Sequence, residues 1–392
     1  MMTFIPTATR RRFSGGLAAL GLTGALRAAP QSRIDSIRVT SHQPGFYHAW
    51  PTLARRKNGD LIAAYSGGRE GHVCPFGRVE YVKSTDAGRT WSWPQVVMDS
   101  PIDDRDAGIL ETSRGTLLIT TFTSLAYERY WGEMGEWATE RVERWKSVNR
   151  ATTQAERQRL VGAWMLRSTD GGLTWSAPYR VPVTSPHGPV ALADGRLLYA
   201  GREYPGQQQP GGNRIGVCES KDDGVSWRWL ADIPARPGDS VDNYHELHAV
   251  ETESGRLIAH IRNHNRTNER ETLQSESGDG GRTWSAPRAI GVWGLPSHLL
   301  KLRDGRLLMS YGYRRTPRGN HARWSANEGR TWSDPMVLSD DGSGDLGYPS
   351  TVQLDSGDLA TLWYESKRPG TMAVKLPEPP LAVLRLAHWK LT

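Results

Sequence analysis

Tyr348, Glu246, Asp106, Glu70 and several histidines and arginines lie far apart in the 392-residue sequence, yet between them they hold the groups a displacement on an anionic substrate needs. A tyrosine beside a carboxylate can attack carbon, because the neighbouring base takes the phenolic proton as the new bond forms. Arginines gathered about one pocket suit a carboxylate, which a guanidinium binds through two parallel hydrogen bonds. The sequence offers Arg69, Arg202, Arg262 and Arg314 for that task, with His48, Trp50, His72, His187 and His298 as further polar or aromatic neighbours. Singly, each is an ordinary strand-end residue. Only the elements that position them can make them a site.

Those elements are repeats. Five octads share one spacing, Ser84 to Trp91, Ser168 to Trp175, Ser220 to Trp227, Ser277 to Trp284 and Ser325 to Trp332, with Ser first, Asp third (Asn327 in the last), Gly fifth, Thr or Ser seventh and Trp eighth. The pattern suits a tight turn in which the carboxylate bonds turn amides, Gly takes a positive φ and Trp packs back between strands. A second repeat is a strand, a Gly-containing turn and another apolar strand, centred on Gly59, Gly115, Gly195, Gly255, Gly305 and Gly357. A period of about 50 residues indicates a propeller or an array. Six hairpins, five of them followed by an octad, predict an all-β fold: a six-bladed β-propeller whose last blade is completed by Ala382 to Leu391 with Ser36 to Thr40.

In a four-stranded blade the first hairpin turn and the octad turn share one face. Starts of first strands and ends of second strands therefore share the other, around the axis where propellers bind ligands. That rim collects His48 to Trp50, Asp106, His187, Glu246, His298 and Tyr348 from strand starts, and Arg69, Glu70, His72, Arg202, Arg262, Arg314 and Glu365 from strand ends. One segment breaks the rhythm in the second blade: about 125–160 is rich in Glu, Arg, Ala and Trp and is expected as one or two helices. It leaves from the same rim, and Tyr127, Tyr130, Trp131, Trp137 and Trp145 suit packing on the propeller or stacking on sugar.

The octad resembles the Asp box of the sialidase (neuraminidase) superfamily of β-propellers, and the resemblance runs from about Tyr47 to Glu365. Asn243-Tyr244-His245-Glu246 with His260-Ile261-Arg262-Asn263 is similar to the fourth-blade pattern of that family, and Gly347-Tyr348-Pro349-Ser350 to its last-blade pattern. The resemblance implies Tyr348 as nucleophile, Glu246 as its partner, and Arg262, Arg318 and Arg69 as arginines for a substrate carboxylate. Two departures stand out. The family's Tyr-Arg-Ile-Pro is Tyr47-His48-Ala49-Trp50-Pro51 here, which removes the first arginine and offers His48 or Trp50 instead. The acidic loop of the first blade lacks its Asp, so the acid is open between Glu70, His72 and Asp106. The implied activity is that of an exo-glycosidase, exo-α-sialidase-like, on a terminal acidic sugar. Two readings stand beside it: a uronate lyase or atypical glycosidase using rim histidines such as His48, His72, His187 or His245, and a carbohydrate-binding propeller without catalysis.

The formal net charge is +7, but the basic residues are scattered, which favours a field drawing anionic substrates over nucleic-acid binding. Residues 1–30 read as a signal peptide of the Tat type, with Thr9-Arg10-Arg11-Arg12-Phe13 ahead of a short apolar run, so the expected location is periplasmic or secreted. The remaining 31–392 are expected as the propeller, with no stretch suited to membrane insertion. Cys74 and Cys218 fall in non-adjacent blades and are expected as free thiols; neither a metal site nor a cofactor is indicated.

Overall fold

A computed structural model of the chain describes residues 32–43, 45–130, 139–204, 214–342, 344–366 and 381–392. The expected leader, and Trp131 and Trp137 of the insertion, lie outside the described residues. After β1 (Ser32–Val39), the strands β2 (Tyr47–Arg55), β3 (Leu61–Arg69), β4 (Arg78–Ser84) and β5 (Gln95–Met98) pair in order. So do β6 (Asp103–Glu111), β7 (Leu117–Ser124), β8 (Gly162–Ser168) and β9 (Tyr179–Arg180). The next sheet has a broken inner edge, β10 (Val183–Thr184) and β11 (Val190–Ala191), then β12 (Leu197–Glu203), β13 (Ile215–Ser220) and β14 (Arg228–Asp232). Pro186 and Pro189 cannot donate to a ladder, which accounts for the break.

Two regular sheets follow, β15 (Tyr244–Glu251), β16 (Leu257–Asn263), β17 (Glu271–Ser277) and β18 (Arg288–Trp293), then β19 (Ser297–Lys301), β20 (Leu307–Tyr313), β21 (Gly319–Ser325) and β22 (Met336–Ser339). The chain ends with β23 (Leu346–Gln353), β24 (Leu359–Ser366) and β25 (Ala382–Leu391), and β1 pairs antiparallel with β25. The result is an all-β propeller arrangement. Six separate sheets are the expectation, and the described strands form five, because the parallel pair Tyr47↔Ala382 joins β25 to β2 in one eight-stranded sheet.

The turns follow from the repeats. All six hairpin glycines take φ between 82° and 92°, and each donates its N–H to the carbonyl three residues back, as Gly59 does to Arg56 at 3.0 Å. In the octads the first Ser accepts the N–H of the fifth-position Gly, Gly172 to Ser168 at 2.8 Å for example, and Asp170 accepts the amide and hydroxyl of Thr174 at 3.0 and 2.5 Å. The octad Trp then covers an apolar core between neighbouring sheets: Trp175 packs edge-on against Tyr81, and Trp284 closes the cluster of Leu198, Leu257 and Leu273. Burial of such clusters, at about 25 cal/mol per Å² of apolar surface, is the main force holding the ring. Cys74 and Cys218 are buried free thiols, and no described helix is long and apolar enough to cross a membrane.

The insertion forms α1 (Thr139–Ala151) and α2 (Gln154–Leu160). Thr153 caps α2 in a reciprocal pair with Glu156, the side chain of each accepting the other's backbone N–H at 3.2 and 2.7 Å. Trp145 of α1 is fully buried against Tyr127, Val73 and Cys74, so both aromatic residues pack on the propeller. Its indole donates to Glu70 at 2.9 Å, Arg144 donates to the same carboxylate at 2.6 Å, and Arg141 donates to the Glu70 carbonyl at 3.2 Å. Glu70 is thus the anchor of the insertion, which corrects its candidacy as the acid: both oxygens are taken from outside the well. Removing a hydrogen-bonded charge of this kind costs about 1–3 kcal/mol. Glu70→Ala is expected to lower stability by that amount and to speed amide hydrogen exchange in 139–160; exchange unchanged from the parent would refute the anchoring role.

Candidate active site

Three inner strands carry, within their first four residues, one in the left-handed region: Trp50 (φ 51°), Asp106 (φ 47°) and Tyr348 (φ 54°). Each sits at a slip in its ladder, between Ala49 and Thr52, between Arg105 and Gly108, and between Gly347 and Ser350. A bulge of this kind re-aims the side chain, and a bulky residue at positive φ costs on the order of 1–3 kcal/mol. The first bulge separates two neighbours that simple alternation would place on one face. Trp50 comes within 6.5 Å of Tyr348, 6.0 Å of Tyr364 and 5.0 Å of His72, centroid to centroid. His48 turns away instead, buried against Tyr65 at 5.4 Å with both ring nitrogens unpartnered, and burial pushes its pKa down to about 4. His48 is therefore a core residue, contrary to its expected place in the well.

Tyr348 Oη donates to Glu246 Oε1 at 2.5 Å. Arg262 Nη1 reaches both Glu246 oxygens, at 2.9 and 2.7 Å, and the Tyr348 hydroxyl at 3.1 Å, while its Nε donates to His264 Nε2 at 2.8 Å. Burial raises the Tyr348 pKa well above its usual value, and the Glu246 charge raises it further. Burial also works against the Glu246 anion, but Arg262 and the Tyr348 hydrogen bond outweigh it and hold that carboxyl below its ordinary pKa. The resting proton is on the phenol, with an ionised base in contact with it. Asp106 lies in the field of this pair; burial and the Glu246 charge push its pKa up to about 7 against the pull of Arg105, and its Oδ1 is buried without a partner.

A second polar knot adjoins the first. The Asp345 carboxylate accepts from Tyr47, from Tyr364 at 2.7 Å and from His72 Nδ1 at 3.1 Å. Burial opposes its charge, but His72, Tyr47 and Arg314 hold the carboxyl well below the usual range. His72, lowered by burial despite Asp345, is neutral near pH 7 and keeps its side chain one-fifth exposed. Tyr364 and Tyr348 rings are 5.8 Å apart, which joins the two knots.

The remaining predicted residues separate. Arg69 is fully buried and its donors are spent on Asp103, Ser66 and the carbonyls of Gly71, His72 and Asp104, so it holds the first blade's loop and no exposed anion. Arg202 donates to the Asp242 carbonyl at 3.2 Å, and Glu365 pairs with Arg385 at 2.9 Å. Arg318 is exposed and has no side-chain partner among the described residues. His187 and His298 are buried with His248, ring centroids 5.0 Å and 4.5 Å apart along the chain of contacts, and burial lowers all three pKa values; His187 lies 6.5 Å from Tyr348. These two histidines support the well from below its accessible surface rather than offering exposed contacts. Among the described residues no group of three or more His, Cys, Asp or Glu side chains is arranged to hold a metal ion.

Sequence reasoning misses Asp345, Arg105 and His264. Asp345 hides in the Gly-rich stretch Gly342 to Gly347, which reads as loop, and Arg105 falls on the outer face under strict alternation. The signal available for Arg105 is its position next to Asp106, at a strand start whose equivalents in β2 and β23 carry a pocket residue.

A model of the BNR repeat-like domain matches residues 147–361. The chain is 25% identical over 315 residues to a sialidase of Micromonospora viridifaciens, and 25% identical over 366 residues to a sialidase of Bacteroides fragilis. The aligned parts are 79% and 84% of this chain but 37% and 62% of those proteins, so it spans less than two thirds of either relative. Among solved structures, a protein of unknown function from Dyadobacter fermentans superposes with a TM-score of 0.72 at 25% identity, covering 93% of this chain and 100% of that one. The NanB sialidase of Streptococcus pneumoniae superposes at 0.64 with 14% identity, covering 92% of this chain and 71% of that one, a likeness of fold. With more than half of its length matched by that model, this chain belongs to the BNR repeat-like domain family, and its fold is that of the sialidase propellers.

Proposed function

We propose that this protein is a retaining exo-glycosidase that releases a terminal acidic sugar of the sialic acid type. The observation that carries the reading is the 2.5 Å bond from the Tyr348 hydroxyl to Glu246, with Arg262 donating to both. As Tyr348 Oη forms its bond to the anomeric carbon, the phenolic proton passes to Glu246 and the bond to the leaving oxygen breaks. Asp106, in its acid form, gives that oxygen its proton. Water then cleaves the tyrosyl–sugar bond, with Asp106 taking a proton from water and Glu246 returning one to the phenol, so the second inversion restores the starting configuration. Tyrosine nucleophiles are a known exception to the two-carboxylate scheme.

Two coarser elements belong to the same proposal. A count of six blades is supported by reading the eight-stranded sheet as two units that meet at Tyr47↔Ala382. The Thr9-Arg10-Arg11-Arg12-Phe13 leader would deliver the enzyme to the periplasm or beyond.

A second reading is favoured by one observation, the His72 ring fixed by Asp345 and Tyr47. An oriented neutral imidazole with a tyrosine beside it is the equipment of a base–acid pair for β-elimination on a uronate. New ultraviolet absorbance from an unsaturated sugar product would mark the lyase; its absence with release of free acidic sugar marks the hydrolase.

Tyr348→Phe is expected to reduce kcat/KM on an aryl sialoside on the order of 1,000-fold or more while leaving equilibrium binding of the free sugar within a few-fold. Retained turnover in that variant would remove tyrosine from the role of nucleophile.

Asp106 sets the pH dependence. Its pKa is raised to about 7, so the acid form is present below that pH and is lost as pH rises through it, and kcat/KM should fall on an alkaline limb near pH 7. Asp106→Asn should erase this limb and cost roughly 10²–10⁴ in rate on substrates with poor leaving groups, but less on aryl glycosides. A limb unchanged in Asp106→Asn would transfer the acid role to another group.

A further inference from the structure

The proposed substrate carries a carboxylate, yet two of the three arginines inherited from the family pattern are occupied or remote: Arg69 is consumed by Asp103, and Arg262 clamps Glu246. A different guanidinium stands in the well. Arg105, at the start of β6, lies with Cζ 4.5 Å from the Trp50 ring centroid and 5.7 Å from that of Phe122. Its side chain is only partly buried, its Nε is sealed from water without an acceptor, and no hydrogen bond or ion pair to the group is found among the described residues. Trp50 itself is 1% exposed and touches His72, Tyr348 and Tyr364, so it ties Arg105 to both polar knots. Asp106 is the adjacent residue, on the same bulge.

An arginine with no hydrogen-bonded anion among the described residues, held by cation–π contact beside the reacting groups, is a binding group open to an anion. We propose that Arg105 binds the substrate carboxylate, standing in for the arginine that Tyr47-His48-Ala49-Trp50-Pro51 lacks, and that Trp50 is the positioning residue that aims it. The inference rests on the acidic-sugar reading and names the residue that would give it specificity. Discrimination would come from the two parallel N–H donors of the guanidinium, which a carboxylate fills and an ester does not.

The test uses N-acetylneuraminic acid, glucuronic acid and their methyl esters as calorimetric probes, with kcat/KM on an aryl sialoside measured alongside. The full-length protein is expected to prefer an acid over its ester. Arg105→Ala should weaken binding of that acid by roughly 10- to 100-fold and leave ester binding within about twofold. Arg105→Lys should recover part of the loss, and Trp50→Leu should reproduce the Arg105→Ala pattern with Arg105 still in the chain. If the parent prefers the acid and Arg105→Ala keeps that preference, or loses acid and ester equally, the assignment of Arg105 is overturned while the acidic-sugar reading stands. If the parent binds and turns over none of these acidic sugars, the reading falls and the assignment falls with it.

Discussion

The site depends on one backbone constraint, the left-handed residue near the start of three of the inner strands. In a regular strand Tyr348 would alternate with its neighbours, and its phenol would compete for space in the core between sheets. At φ 54° it leaves the ladder and meets Glu246, a residue 102 positions earlier in the chain. Asp106 and Trp50 leave their ladders in the same manner. Strain of a few kcal/mol at these points persists only because the surrounding structure over-determines it. Here the restraint is the closed ring: octad turns, hairpin glycines and interleaved apolar clusters fix each strand before its first residue is placed.

Charge is distributed with little surplus. Arg69 answers Asp103, Arg262 answers Glu246, and Asp345 is answered by two phenols and His72. Each pair removes an otherwise costly buried charge, since an isolated ion in a low-dielectric interior is strongly disfavoured. The same pairing fixes orientation before substrate arrives, which is how a site avoids reorganising at the moment of reaction. Beside these pairs, two adjacent residues of β6 keep a buried polar atom without a partner: Arg105 at Nε and Asp106 at Oδ1.

The repeats made the architecture legible. Six hairpin glycines and five octads are read directly, because a positive φ and an Asx-type turn have few sequence solutions. The pair Tyr348 and Glu246 and the arginine beside them were legible through the family resemblance. Less accessible was the facing of residues near a bulge. His48 and Trp50 share a face in any period-two reading, and no local signal says that the ladder slips between them. Glu70 misled for a different reason: an acidic residue at the rim looks free until a helix inserted seventy residues later in the chain delivers Trp145 and Arg144 to it. Asp345 was hidden by the glycines around it.

The loss of the strand-start arginine and the presence of Trp50 are better understood as one change than two. The position of the indole lies 4.8 Å from the Arg69 guanidinium and 4.5 Å from that of Arg105. A third guanidinium there would meet two like charges in a buried setting, with the Asp103 carboxylate already paired to Arg69, and repulsion at such distances amounts to several kcal/mol when water is excluded. An aromatic face does the opposite, attracting both cations at once. A chain that brings its arginine in from β6 therefore needs an uncharged, π-rich residue at the start of β2. Equally, a chain that keeps arginine at that start has reason to place something neutral at position 105.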